Sequence, residues 1–226
     1  GTQPNGTEEM VALVASYLKP AHRVLDLGCG LGRRETDFRA QCRLVIGCDY
    51  VDSVRDNRFI SAGVRGDAYR LPFSDHAFDV VVMDFVLEHL ETPPKCAAEI
   101  SRVLRPGGAL FFRTPNFYHY VAIIAFVTPH WFHRRVIREL DDSSPTPFKT
   151  YYRINTRADV KRVLGNANLR AVEIRMVEKE PHYLTFAVPA FLVGFCYERL
   201  VNRFKALAGL RSNIFGHFRK SDEPAN

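Results

Sequence analysis

The stretch VLDLGCGLGRR, residues 24–34, decides how the chain is read. A short apolar run enters it, glycines stand at 28, 30 and 32, and Arg33 and Arg34 follow. Glycine permits a tight turn and lets backbone approach a ligand at van der Waals distance. A glycine turn after a strand predicts a nucleotide-type loop. Taken alone, it leaves open a dinucleotide, a triphosphate or another nucleoside. The two arginines read most simply as solvated residues of the next helix.

Outward from the loop, strands and helices alternate. TEEMVALVASYL (7–18) is expected to be an amphipathic helix capped by Thr7 and ended by Pro20. RVLDLG is a short buried strand, RRETDFRAQC a helix, RLVIGCD a strand ending at Asp49, and VDSVRDNRFISA a second helix. VRGDAYRLPF is a strand running into a loop. AFDVVVMDF is nearly all apolar, as a parallel strand covered on both faces should be. PPKCAAEISRVL is a helix stopped at Pro106, Gly107 and Gly108, and ALFFRTP is the next strand. Further on, INTRADVKRVLGNANL is a helix opened by Thr156 and Asp159, RAVEIRMVEK alternates like a strand, and HYLTF is expected to pair with it. Short alternation of this kind predicts an α/β fold with a doubly wound, mostly parallel sheet. Ligands on such sheets bind at the carboxyl ends of the strands, which singles out Gly28 to Gly32, Asp49, Asp67, Asp84 and Asn116.

Asp49 lies about 20 residues beyond the first glycine, where a carboxylate can accept both hydroxyls of a ribose. Asp26, Asp49, Asp67 and Asp84 all fall at or near expected strand ends. Any one of them could be a cap or turn former; four together argue for a site rich in acids.

RGDAYRLPFSDHAFDVVVMDFVLEHL followed by VLRPGGALFFRTPN resembles the class I S-adenosylmethionine (SAM)-dependent methyltransferases. It looks most like the subgroup acting on small molecules and lipids (methyltransferase type 11-like). The likeness runs from about Met10 to Asn116. It implies a seven-stranded, Rossmann-like methyltransferase fold, SAM as cofactor and S-adenosylhomocysteine as product. In DLGCGLG, it implies that Gly28, Cys29 and Gly30 lie against the methionine moiety and that Asp26 faces its ammonium. It places Asp49 on the ribose with Tyr50 beside the adenine, and Asp67 and Ala68 at the adenine edge. It sets Asp84 and Phe85 on the floor near the methyl group. The chemistry agrees: SAM carries a sulfonium and an ammonium and no pyrophosphate, so acids suit it better than a phosphate cradle.

Methyl transfer to a hydroxyl needs alignment and a general base. His89 and His119 are the catalytic candidates, with Asp84 and Glu88 beside them. A histidine near a helix start can equally be structural. Some quinone-pathway O-methyltransferases hold a metal with Glu-x-x-Glu-His. Here the run is Phe85-Val86-Leu87-Glu88-His89, its first ligand is missing, and no metal is expected. The run MDFV stands where enzymes methylating exocyclic amines of nucleic-acid bases usually carry Asn/Asp-Pro-Pro-Tyr/Phe, so no DNA partner is expected.

Two apolar segments remain. Residues 117–150 follow the fifth strand and suit an acceptor-pocket or lid insert. Residues 183–220 form an apolar, then basic, C-terminal extension. Pro129 and Pro189 break both, and each is short for a bilayer of about 30 Å. Three readings stand side by side: contact with a membrane surface or lipid substrate, a lid or core, and a dimer interface.

The 226 residues, 46% hydrophobic and 25% charged, fit one globular domain over 1–226. A net charge of +6 permits an anionic cofactor, membrane or nucleic acid and selects none. Five cysteines without a C-x-x-C argue against a disulfide framework and for a reducing, cytoplasmic setting, peripheral on a membrane if the apolar segments meet one. No signal peptide is visible. The first residue is glycine, which suggests a cut from a longer protein or a residual tag. The reading is therefore an enzyme that methylates an oxygen of a small hydrophobic, lipid-linked or natural-product acceptor. The alternatives are an inactive methyltransferase-fold adaptor at a membrane surface and an RNA methyltransferase. Oligomeric state is left open.

Overall fold

The computed structural model describes residues 5–120, 148–178 and 188–222. Its centre is one seven-stranded sheet in the order β3-β2-β1-β4-β5-β7-β6. The strands are β1 (Arg23–Leu27), β2 (Leu44–Asp49), β3 (Ala62–Arg65), β4 (Phe78–Asp84), β5 (Leu104–Pro115), β6 (Leu169–Val177) and β7 (Asn213–Lys220). Strands β1 to β5 run parallel, and β7 is antiparallel to both its neighbours. The order reverses between β1 and β4, where such sheets open a ligand crevice. β4 is buried along nearly its whole length, as its unbroken apolar run requires.

The helices are α1 (Gly6–Tyr17), α2 (Pro93–Val103), α3 (Arg157–Asn166) and α4 (Val188–Arg203). Thr156 caps α3, its hydroxyl accepting the Asp159 N–H at 3.1 Å as expected. The cap of α1 is Asn5, not Thr7. Asn5 and Glu8 form a capping box, and the Thr7 hydroxyl turns instead to Arg113 Nη2 at 3.2 Å.

Two expected helices are replaced by single 3-10 turns, Arg34–Thr36 and Asp52–Asp56. Neither turn has a side-chain cap. After the first, Asp37 accepts the Arg39 N–H and binds its guanidinium through both oxygens. After the second, Asn57 accepts the Phe59 N–H while its amide donates to the Gly30 carbonyl. Local side-chain bonds of this sort compete with helix propagation.

β7 was not expected. The partner of β6 is Asn213–Lys220, and the segment HYLTF lies outside the described residues. The apolar-basic tail therefore returns to the sheet and supplies an inner strand. Most of the expected insert, 121–147, also lies outside the described residues. Among those described, no helix is long and apolar enough to cross a membrane.

Candidate cofactor and acceptor site

The glycine loop leaves β1 with positive φ at Gly28 (78°), Gly30 (50°) and Gly32 (68°), a region where side chains are strained. The three glycines differ in what surrounds them. A Cβ on Gly28 would fall 2.3 Å from Val86 Cγ2, and one on Gly32 2.4 Å from Asn57 Oδ1. A Cβ on Gly30 would meet nothing within 4 Å. Protein packing demands the outer two, and the middle one faces open space.

Asp49 ends β2 and holds the loop. Its Oδ2 accepts the Gly30 N–H at 2.8 Å and its Oδ1 the Val51 N–H at 3.2 Å. Each oxygen keeps a second lone pair for an incoming hydroxyl. Cys29 turns its thiol toward β2, where the missing side chain of Gly47 makes room for it. Burial pushes that thiol up to about 12, so it stays a neutral packing group and only its backbone faces the loop.

Asp26 is 7% exposed, and its carboxylate makes no hydrogen bond or ion pair among the described residues. Burial, then the nearby charges of Asp84 and Asp49, push it up to about 7. A buried carboxylate without a partner is costly and is relieved by a cation.

Tyr50 is 68% exposed beyond β2, with the Arg65 guanidinium 5.8 Å from its ring centre. Asp67 is exposed; its carboxylate accepts the Tyr69 N–H at 2.9 Å and shapes the turn carrying Ala68. Tyr69 was missed in the sequence. Its hydroxyl accepts the N–H groups of Glu91 and Thr92 at 2.7 and 3.1 Å. Thr92 offers no side-chain cap to α2, so Tyr69 ties this turn to the helix start in its place.

Asp84 does not stand alone. Arg113 faces it across the β4–β5 register and binds both its oxygens at 2.6 Å. The guanidinium, 4% exposed, also lies 4.3 Å from the centre of the Phe85 ring. Phe85 has φ 56°, a strained value for an aromatic residue, and its N–H donates to the Arg113 carbonyl. Asp84 is thus neutralised by a buried partner and is poorly placed as a base. Arg113 carried no motif signal; only strand register brings it to Asp84.

His89 lies on a 3-10 turn, Leu87–His89, and not on the expected helix, because α2 begins only at Pro93. Its Nδ1 donates to the Lys149 carbonyl at 3.0 Å, which leaves Nε2 as the nitrogen able to take a proton. Glu88 beside it is buried, bonded to Thr114 Oγ1 at 3.0 Å, and pushed up to about 7 by burial. Asn155 bonds the same Thr114 hydroxyl at 2.7 Å. The chain returning at 148–153 clamps this turn, for Tyr151 and Tyr152 both donate to the Glu88 carbonyl.

His119 sits apart, beyond β5. It is 4% exposed, packed on Tyr120 and Tyr197, with Nε2 3.5 Å from Glu178. Burial holds it down near 4 and pushes Glu178 up to about 7. The fold therefore gathers the glycine loop, Asp26, Asp49, Asp84 and Phe85 at the carboxyl ends of β1, β2 and β4. It leaves His119 at the β5–β6 side of the same edge.

A methyltransferase-domain family model matches residues 25–112, from the second half of β1 into β5. Residues 25–112 are a methyltransferase domain of the class I, SAM-dependent type. The demethylmenaquinone methyltransferase of Beutenbergia cavernae is 36% identical over 115 residues, 48% of each chain. A protein of Mycolicibacterium smegmatis named as a probable S-adenosylmethionine-dependent methyltransferase is 38% identical over 109 residues, 44% of this chain and 42% of that one. The chain spans about half the length of the curated relatives it matches. The fold of the domain also matches geranyl diphosphate C-methyltransferase from Streptomyces coelicolor A3(2), solved with S-adenosyl-L-homocysteine. There the TM-score is 0.59 at 15% identity, over 94% of this chain and 78% of that one.

Proposed function

We propose that this chain transfers the methyl group of SAM to an oxygen of a hydrophobic, lipid-linked or natural-product acceptor. The observation that carries the cofactor is Asp26, a buried carboxylate at the mouth of the glycine loop with no partner among the described residues. An ammonium answers that need, and the free lone pairs of Asp49 suit ribose hydroxyls. The open space over Gly30 admits the methionine moiety. The exposed Tyr50 and the Asp67–Ala68 turn extend toward an adenine. When bound, SAM supplies an activated methyl on a sulfonium, so the chain's own part is to align, exclude water and take a proton.

His89 is the base the arrangement favours. Its tautomer is set by the Lys149 carbonyl, and it is only half-buried, beside the exposed Phe148. His119 is buried and held neutral, which suits a structural part. The apolar surroundings, Phe85, Phe117, Tyr118 and Phe148, favour an amphiphilic acceptor. Demethylmenaquinone, named for several relatives, is an acceptor of that character.

The test is isotope-labelled SAM added to a crude extract with the protein, followed by partition between organic and aqueous phases, with Asp49→Ala alongside. Label in the organic phase that is absent with the variant is expected. Label in water alone overturns the hydrophobic acceptor. Failure of the wild-type protein to bind SAM in calorimetry overturns the enzyme reading and favours an adaptor.

A further inference from the structure

Helix α4 is built unlike the others. Over residues 191–203 it buries only Gly194 and Val201, and half-buries Tyr197 and Glu198 between them. The Tyr197 ring packs on Tyr120 and His119, and its hydroxyl donates to the Leu210 carbonyl. These anchors set α4 at the carboxyl edge of the sheet, the edge that carries the glycine loop.

The outward side of α4 is apolar at one end and basic at the other. Phe191, Leu192, Val193 and Phe195 are 39%, 53%, 66% and 37% exposed. Phe191 and Phe195 stack on one another one turn apart. Toward the other end come Arg199, Arg203 and, just beyond the helix, Lys205, all exposed. Arg199 lies 4.8 Å from the centre of the Phe195 ring, its stem along the apolar surface. A shallow, open depression of about 550 Å³ runs along the basic half of the helix, lined by Phe195, Arg199, Leu200, Arg203 and Phe204 among others. Over residues 188–212 the sequence sets Arg199, Arg203, Lys205 and Arg211 against one acid, Glu198, whose carboxylate accepts from Asn202. Arg211 is engaged within the fold, bonding the carbonyls of Val201 and Met176.

We propose that this face of α4 docks on an anionic lipid bilayer, with the Phe191–Phe195 end inserted and Arg199, Arg203 and Lys205 at the headgroups. Leu192 and Arg199 are about 10 Å apart along the axis at 1.5 Å per residue, so a helix tilted with its apolar end down sets the Phe191–Phe195 end deeper than the guanidinium groups. The apolar end therefore reaches the acyl boundary while the guanidinium groups stay at the phosphates. A second copy of this face offers only Glu198 as an acid, so it would leave Arg199, Arg203 and Lys205 without partners of opposite charge; an anionic surface complements them instead. Docked this way, the carboxyl edge faces the membrane, so an amphiphilic acceptor reaches the site without crossing water. The docking does not depend on the acceptor, and its test does not measure methyl transfer.

The full chain is sedimented with vesicles of phosphatidylcholine alone or mixed with about one third phosphatidylglycerol, at low and high salt. Binding to the anionic vesicles only, weakened by salt, is expected. Neutralising a cation costs about fivefold at such a surface, so Arg199→Gln with Arg203→Gln should weaken binding about 25-fold. Leu192→Glu with Val193→Glu should abolish it. All four side chains are exposed, and unchanged circular dichroism and SAM affinity show that the variants fold. Wild-type protein that stays in the supernatant overturns the proposal, as does undiminished binding by the glutamate variant. A concentration-dependent dimer lost in that variant, without vesicle binding, would assign the face to a second copy instead.

Discussion

Asp26→Asn should act in opposite directions on stability and on cofactor binding. The carboxyl is pushed from 3.8 to about 7 in the folded chain, chiefly by burial. Between those values the folded state keeps a proton that the unfolded state has released. Stability must therefore fall as pH rises through this window and level off above it. A rise of about three pKa units at 1.36 kcal/mol each gives about 4 kcal/mol of destabilisation at pH 8, absent below about pH 4. Asparagine removes the charge but brings a buried amide of its own, so about 4 kcal/mol is an upper bound on the gain. In a domain of this size that upper bound corresponds to about 8–16 °C in Tm. The assay is denaturant unfolding of both proteins at pH 5 and pH 8, with calorimetric titration of SAM. The variant should match wild type more nearly at pH 5, exceed it at pH 8, and bind SAM far more weakly. In the wild type, binding a cation at Asp26 should release a proton and strengthen as pH rises from 6 to 8. A variant no more stable than wild type at pH 8, or one that binds SAM equally well, would refute the reasoning.

Asp49→Ala removes the acceptors for two hydroxyls and frees the Gly30 N–H; at about 1.5–3 kcal/mol per charge-assisted bond, SAM affinity should fall at least tenfold in calorimetry. Gly28→Ala and Gly30→Ala should separate packing from binding. The first meets Val86 and should lower Tm, whereas the second meets no protein atom and should lose SAM affinity with a smaller change in Tm. Arg113→Met leaves Asp84 without its bidentate partner and should cost about 3 kcal/mol in denaturant unfolding, part of it restored by adding Asp84→Asn.

Much of the fold was legible because its signals are local. The apolar run of β4, the three glycines and the acids after the strands are each readable within a few residues, and the structure brings them to one edge. The misses share a cause. The segments after β1 and β2 have helical composition, but Asp37 and Asn57 spend their side chains on neighbouring backbone and stop them after one turn. In sequence β7 looks like part of an apolar tail, since nothing in NIFGHFRK says that it will lie between β5 and β6. Gly216 does fit that place, because any side chain there would strike the Phe112 ring.

The doubly wound α/β class, the glycine turn and the acid-rich site can all be read along the chain. Those follow from hydrophobic period, backbone freedom and charge, all written along the chain. The states of those acids are set by folding. Asp26 is buried without a partner among the described residues, Asp84 is neutralised by Arg113 from a neighbouring strand, and His119 is held neutral among tyrosines. Such states depend on desolvation and on partners up to 106 residues away, as in the bond from Arg113 to Thr7. Proximity of that kind exists only once the sheet has formed.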